Sequence, residues 1–239
     1  MEALRTLVVG ADSDIGFCLL GQLKGQVTAH YFAKPERFES LSVPGLSVTP
    51  LFGDLGSIEG IKEFVQSAKA LGEYDRIVHL PSAQVKQARF KSFDETAFLK
   101  EFNIAFMSAS IIFKELLPQM AKRKFGKVVV VLTSYCIGVP PKYIAGYVSS
   151  KYALMGLTKA LAAEYASKGI TVNAVAPSMV ETSFVSNMPD FEKEQNAAAN
   201  PLGRNATPED IAPAIAFLLS DKTEFINGAV LPVTAGSNF

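Results

Sequence analysis

Residues 4–16 read Leu4-Arg5-Thr6-Leu7-Val8-Val9-Gly10-Ala11-Asp12-Ser13-Asp14-Ile15-Gly16. A short apolar, β-branched run passes into a turn with glycine at both ends, and residues 17–20 continue apolar, as at the start of a buried helix. In a strand-turn-helix unit of this kind, glycine permits the tight turn and the close helix-strand approach. The helix N-terminus then offers backbone N–H groups to an anion. The stretch Gly10, Asp12, Ser13, Asp14, Ile15 and Gly16 is therefore expected to cradle a pyrophosphate. A plain strand-to-helix turn is the alternative, since glycines and a small residue follow strands by chance.

Working outward, short β-branched runs alternate with longer stretches of helical period, the pattern of parallel strands joined by crossover helices. Strands are expected over residues 4–9, 27–32, 46–51, 76–80, 127–133, 170–176 and 229–233, and helices over 15–24, 57–70, 94–122, 146–167 and 208–219. Several strands are apolar at consecutive positions, as expected when helices cover both faces of a sheet. Asp94 and Thr207-Pro208 have the chemistry of helix starts. The fold class is α/β: a Rossmann-type, doubly wound parallel sheet of about seven strands with helices on both faces. No repeat or Pro/Gly/Ser-rich linker divides the chain, so residues 1–239 read as a single domain with a nucleotide-binding first half. The stretch 32–46 is too short for a full crossover helix. Residues 178–206 are weakly patterned and carry Phe184, Val185, Met188 and Phe191, which suits a cover over an apolar substrate. An ordinary surface helix is the alternative.

Composition narrows the function. With 49% hydrophobic and 19% charged residues in 239, disorder and fibrous repeats are excluded. The 23 Lys+Arg balance the 23 Asp+Glu, which removes the basic excess expected for nucleic acid or an anionic membrane. Cys18 and Cys136 are too few for a disulfide framework, and with only His30 and His79 beside them a zinc site is not expected. No secretory leader is expected at the start, and no run is expected to reach the roughly 20 apolar residues of a membrane span. A reduced cytoplasmic setting follows. The positive mean hydropathy, +0.21, then points to a large buried sheet or to subunit interfaces.

Further residues favour a dinucleotide. Asp54-Leu55, after the third strand, places a carboxylate where it could accept the adenine amino hydrogen. The second strand ends His30-Tyr31-Phe32-Ala33-Lys34 with no acid, the group that binds the ribose hydroxyls of NAD. Lys34 and Arg37 stand where a basic residue accommodates the extra phosphate of NADP, so NADPH is expected ahead of NADH. Solvated loop charges are the alternative, because Glu36 and Glu39 sit among them. Tyr147 and Lys151 stand four residues apart at the start of a helix and share a face. An ammonium beside a phenol favours the phenolate and draws its pKa toward the working range of an acid-base group. Thirteen residues before Tyr147, Thr133-Ser134 closes a strand and places a hydroxyl at the carboxyl edge of the sheet, where open α/β folds bind ligands.

Together these motifs resemble the short-chain dehydrogenase/reductase family in its compact branch, over essentially the whole chain. The likeness includes the glycine turn, Asp54, Asn103, Ser134, Tyr147/Lys151, residues 172–177, Thr182 and Pro201-Leu202-Gly203-Arg204. Within the family the chain is most similar to 3-oxoacyl-[acyl-carrier-protein] reductases. The resemblance implies that Ser134 polarises a carbonyl, Tyr147 protonates the developing alkoxide, Lys151 tunes the tyrosine and holds the nicotinamide ribose, and Asn103 anchors a water relay. It extends cofactor contacts to Tyr31, Pro81, Ser82, Pro177, Val180 and Thr182, and substrate contacts to Val139, Phe184 and Met188. A β-ketoacyl thioester substrate is implied, with Lys124, Lys127 and Lys168 as a basic edge for an acidic carrier protein. Basic residues at helix ends also answer the helix dipole, which is the plainer account of that cluster. A homodimer or homotetramer built on the two long helices is implied, and pairing with a paralogue is a further possibility. A free-ketone reductase and a non-catalytic scaffold are the competing functions. The chain departs from the family pattern at Asp14, which replaces the middle glycine of the turn, and at His79-Leu80-Pro81-Ser82. His79 and Cys136 are read as structural, a hydrogen-bonded sheet histidine and a small buried thiol.

Overall fold

Seven strands form one parallel sheet in the computed structural model, which describes residues 4–237. They are β1 (Arg5–Val9), β2 (Gly25–Tyr31), β3 (Leu46–Phe52), β4 (Arg76–His79), β5 (Gly126–Val131), β6 (Ile170–Pro177) and β7 (Val230–Val233). Their order is β3-β2-β1-β4-β5-β6-β7, so the winding reverses at β1, where Val8 pairs with Ala29 on one side and Val78 on the other. The helices are α1 (Asp14–Leu20), α2 (Ile58–Leu71), α3 (Glu95–Phe102), α4 (Ser108–Arg123), α5 (Ala145–Tyr165), α6 (Asp190–Ala199) and α7 (Pro208–Leu219).

Strand side chains alternate between two cores. Leu7, Val9, Val128 and Val130 pack under α2, α4 and α5, whereas Val8, Val129 and Val131 pack under α1 and α7. Burial on both faces is what the unbroken apolar runs encode. Helix ends follow the local chemistry: Asp94 accepts the Ala97 N–H at 3.0 Å, and Asp210 accepts the Thr207 N–H at 2.7 Å. The second crossover is reduced to a 3-10 turn, Pro35–Phe38, as its length requires. Residues 178–206 contain both a cover and a helix: the 3-10 turn Ser183–Val185 precedes α6.

Two features depart from expectation. The long helix expected over 94–122 is interrupted by a π-helical segment, Asn103–Met107, joining α3 to α4. Moreover, the continuous stretch Glu95–Arg123 is long and apolar enough, by length and composition, to cross a membrane. It serves here as a core helix, with Ile112, Phe113, Leu116, Leu117 and Met120 seated on the sheet.

Both histidines are buried struts. His30 accepts the Gly10 N–H at Nδ1 (2.9 Å) and donates from Nε2 to the Gly53 carbonyl (3.1 Å). His79 Nε2 lies 2.7 Å from Ser108 Oγ, which itself donates to the Ile104 carbonyl, so the imidazole is the donor. Burial holds both histidines below their ordinary pKa, and Lys151 lowers His79 further. A histidine depressed in the folded state contributes stability above its unfolded pKa of about 6.5, and this is lost as pH falls below that value. The thermal midpoint is accordingly expected to drop by on the order of 5 °C between pH 7 and pH 5. A His79→Asn variant should show a shallower decline in the same thermal scans followed by circular dichroism.

Candidate active site

A cleft of about 750 Å³ opens across the carboxyl ends of β1, β4, β5 and β6, beside the point where the strand order reverses. Open α/β sheets bind ligands at this place. One end is the glycine turn. Gly10 adopts φ +80°, in the left-handed region, and a Cβ on Gly16 would lie 2.4 Å from the Gly10 carbonyl oxygen, so only glycine allows α1 to approach β1 this closely. Ser13 locks the turn by donating to the Gly10 carbonyl (2.7 Å) and accepting the Gly16 N–H (3.1 Å). His30 pins the same turn from beneath.

The acidic residues of the turn have assigned tasks. Asp12 accepts the N–H groups of Phe32 and Ala33, each at 3.1 Å, tying the turn to the end of β2. Asp14 accepts from Arg37 at 2.8 Å and from the Ser183 N–H at 2.7 Å. Burial opposes ionisation of Asp14, but the Ser183 N–H and the Arg37 guanidinium together hold its carboxyl below the ordinary range. Asp14 thus bridges the turn to the segment beyond β6. That segment is strapped from the other wall as well: Gln84 donates to the Ser183 carbonyl (3.1 Å) and Asn187 to the Val85 carbonyl (2.9 Å). Phe184 and Met188 line the cleft beneath this cover, with the Phe184 ring 6.2 Å from that of Tyr147.

At the other end, Lys151 is buried and donates from Nζ to the Val131 carbonyl at 2.8 Å. Desolvation lowers its pKa to about 8. Its Nζ lies 6.0 Å from the centre of the Tyr147 ring. Burial pushes the Tyr147 phenol above its ordinary value, opposed by a hydrogen bond with the Thr133 side chain. The expected depression by Lys151 is therefore not what this state shows: the desolvation penalty on the phenolate outweighs an ammonium already held by a carbonyl.

Most of the expected residues converge on the cleft. Asp12, Ser13, Asp14, Ile15, Asp54, Leu55, Pro81, Ser82, Pro177, Val180 and Thr182 all line it with Gly10, Tyr147 and Lys151. Gly16 supports the turn from behind. Several residues fall elsewhere. Tyr31 packs on Phe38 and Phe52, and Lys34 is exposed beyond the wall. Arg37, expected to meet a cofactor phosphate, is engaged by Asp14 and lies 4.7 Å over the Phe17 ring. Val139 is 94% exposed. Asn103 donates to the Gly56 carbonyl at 3.0 Å and does not line the cleft. Ser134 is buried at the start of the 3-10 turn Ser134–Cys136, and the preceding Thr133, still in extended backbone, occupies the wall instead. Strand alternation from Val131 would have pointed to Thr133. Glu101, whose burial raises its pKa against the field of Lys151, had no signal in the sequence pattern.

The basic edge lies apart from the cleft within this chain. Lys124 follows α4 and Lys168 follows α5, both leading into strands, so they lie at the amino edge of the sheet, away from the cleft. Lys127 is buried within β5, and Arg123 is paired with Glu73 and Asp75. Among the described residues no cluster of three His, Cys, Asp or Glu side chains could hold a metal, and both cysteines are free.

The arrangement fits a nicotinamide dinucleotide in size and chemistry. The glycine turn leaves room for backbone approach, and Ser82 presents on the cleft wall a buried hydroxyl with no hydrogen-bond partner among the described residues.

Comparison with known proteins agrees. The family profile described as enoyl-(acyl carrier protein) reductase matches residues 24–238. The 3-oxoacyl-[acyl-carrier-protein] reductase of Thermotoga maritima is 31% identical over 249 aligned positions, covering 99% of this chain and 98% of that protein. The enzyme of the same name from Rickettsia felis is 34% identical over 139 residues, a match spanning 58% of this chain and 57% of that protein's length. Among solved structures, a putative NAD(P)-dependent gluconate 5-dehydrogenase from Beutenbergia cavernae, with bound NADP at low occupancy, superposes with a TM-score of 0.89 at 26% identity, covering 99% of this chain and 97% of that one. A likeness of this extent, on a sheet whose reversal point opens onto Tyr147 and Lys151, places the chain in the short-chain dehydrogenase/reductase family of NAD(P)-dependent oxidoreductases.

Proposed function

We propose that the protein is a cytoplasmic, NADPH-dependent carbonyl reductase acting on a β-ketoacyl thioester. The observation that carries this reading is the pairing of Tyr147 with a buried Lys151 at the closed end of a cleft whose other end is the glycine turn. The bound cofactor would supply the hydride. Gly10 to Gly16 would hold its diphosphate, Asp54 and Leu55 its adenine, and Lys151 and Thr182 its nicotinamide end. NADP in the Beutenbergia cavernae structure supports the choice of cofactor.

On the substrate side, Tyr147 donates its phenolic proton to the carbonyl oxygen as negative charge develops there, which is why a phenol kept protonated by burial suits the reductive direction. Thr133, hydrogen-bonded to Tyr147, orients the phenol, and a hydroxyl at residues 133–134 polarises the carbonyl. The cover of Phe184 and Met188 excludes water from the reacting carbon and accepts an apolar acyl chain.

A further basic surface suited to the carrier lies at the mouth of the cleft. Lys86 and Arg89 are exposed on the segment whose Gln84, Val85 and Gln87 line the cleft, and Lys142 is exposed beside Pro141, which also lines it. The Ala88 N–H donates to the Tyr143 carbonyl at 2.9 Å, drawing the two loops together. A basic rim at the entrance is suited to steering an acidic carrier. Self-association through α4 and α5 is also proposed, supported by the half-buried Ile111, Met155, Leu157 and Leu161 on helices that are apolar on more than one face.

Turnover of an acetoacetyl thioester with NADPH, followed by loss of cofactor absorbance, is expected for the wild type. It should fall by about 100-fold or more in Tyr147→Phe. Equal rates in the two proteins, or none in the wild type, would remove the reductase reading. Combined Lys86→Glu, Arg89→Glu and Lys142→Glu should lower kcat/KM about tenfold for a carrier-bound substrate at low salt while sparing a small thioester. If both substrates are unaffected, a free ketone becomes the better substrate class.

A further inference from the structure

Glu101 is an acidic group beside the reacting residues that the chemistry above leaves unused. It stands in the last turn of α3, just before the π-helical segment. Its Oε1 is buried without a hydrogen-bond partner among the described residues. Its Oε2 reaches the start of α5: a Cβ placed on Gly146 would lie 3.3 Å from this oxygen and 3.2 Å from the Phe98 ring. Glycine at 146 therefore lets the carboxylate press against the backbone immediately before Tyr147. The residue capping α5, Ile144, supplies no side-chain hydrogen bond, so the positive end of a 21-residue helix has Glu101 as its nearby anion.

We propose that Glu101 is a positioning residue for the Tyr147/Lys151 pair, its carboxylate anchoring the first turn of α5 and holding Lys151 in the ammonium form. The proposal rests on the reading of Tyr147 as proton donor. Burial draws the Lys151 pKa down to about 8, close to the working pH, with Cys136 and then Glu101 opposing the fall. Of the two opposing groups, Glu101 is the carboxylate, whereas burial raises the Cys136 thiol above its ordinary value. Tyr147 on α5, Tyr135 and Cys136 after β5 are held protonated by burial, His79 on β4 is held neutral, and Lys100 on α3 is exposed. Without the Glu101 charge, a growing share of Lys151 is neutral at pH 7 to 8, and the pH range of proton donation narrows from the alkaline side.

The test compares wild type with Glu101→Gln, which removes charge and keeps shape. The alkaline limb of the kcat profile should move down by roughly half a pH unit or more, with the KM for NADPH unchanged. Independently of turnover, an NMR titration of ε-13C-lysine, with Lys151 assigned by the resonance missing from Lys151→Met, should show its midpoint falling in the variant. If Glu101→Gln does not fold, Glu101→Asp, which withdraws the charge by one methylene, should move the midpoint the same way by less. Superimposable Lys151 titrations in wild type and variant would overturn the proposal. A wild type that titrates as expected but reduces no carbonyl would instead refute the functional reading and leave Glu101's influence on Lys151 standing.

Discussion

Everything in this molecule depends on one backbone contact. Gly16 sits so close to the Gly10 carbonyl that no side chain fits between them, and this lets α1 rise directly from the end of β1. Because β1 is the strand at which the sheet reverses, the cleft opens at that contact. His30 extends the constraint into the second strand by taking the Gly10 N–H and giving its own proton to Gly53. A neutral, fully satisfied imidazole is the cheapest way to bury a polar ring there, and it ties the turn to the loop that ends in Asp54. The turn, the loop carrying Asp54 and the sheet are therefore tied into one unit.

Against that unit stands a cover held by hydrogen bonds rather than by packing. Asp14 and Gln84 grip Ser183 from opposite walls. A carboxylate in place of a glycine looks hostile to a diphosphate, but this one is occupied by Arg37 and by a backbone N–H. Its charge is used to join the turn to the cover. The same economy governs Lys151, which gives a proton to the Val131 carbonyl and keeps a cation inside the protein where burial strongly disfavours it.

The fold was legible in the chain because its signals are periodic or local. Unbroken apolar strands announced a doubly covered sheet, Asp94 and Thr207-Pro208 marked helix starts, and the short stretch after Phe32 left no room for a helix. The Tyr147/Lys151 pair could be read because helical spacing alone puts both on one face. What was missed depends on turns and on position relative to the sheet. A 3-10 turn that begins after Thr133 leaves Thr133 on the cleft wall and buries Ser134, and that turn has no periodic signature in the chain. Loop charges carry no period, so Arg37 gave no sign of its engagement with Asp14. The place of the basic edge was readable from topology: residues leading into a parallel strand lie opposite the ligand edge.

The central claim is that the Gly10/Gly16 contact builds a dinucleotide site. Fluorescence titration with NADPH of the wild type and of Gly16→Ala, with folding checked by circular dichroism, tests it most directly. The wild type should show saturable enhancement of cofactor fluorescence, and the folded variant should bind at least about tenfold more weakly. Equal affinity in the two proteins, or no binding by the wild type, would contradict it.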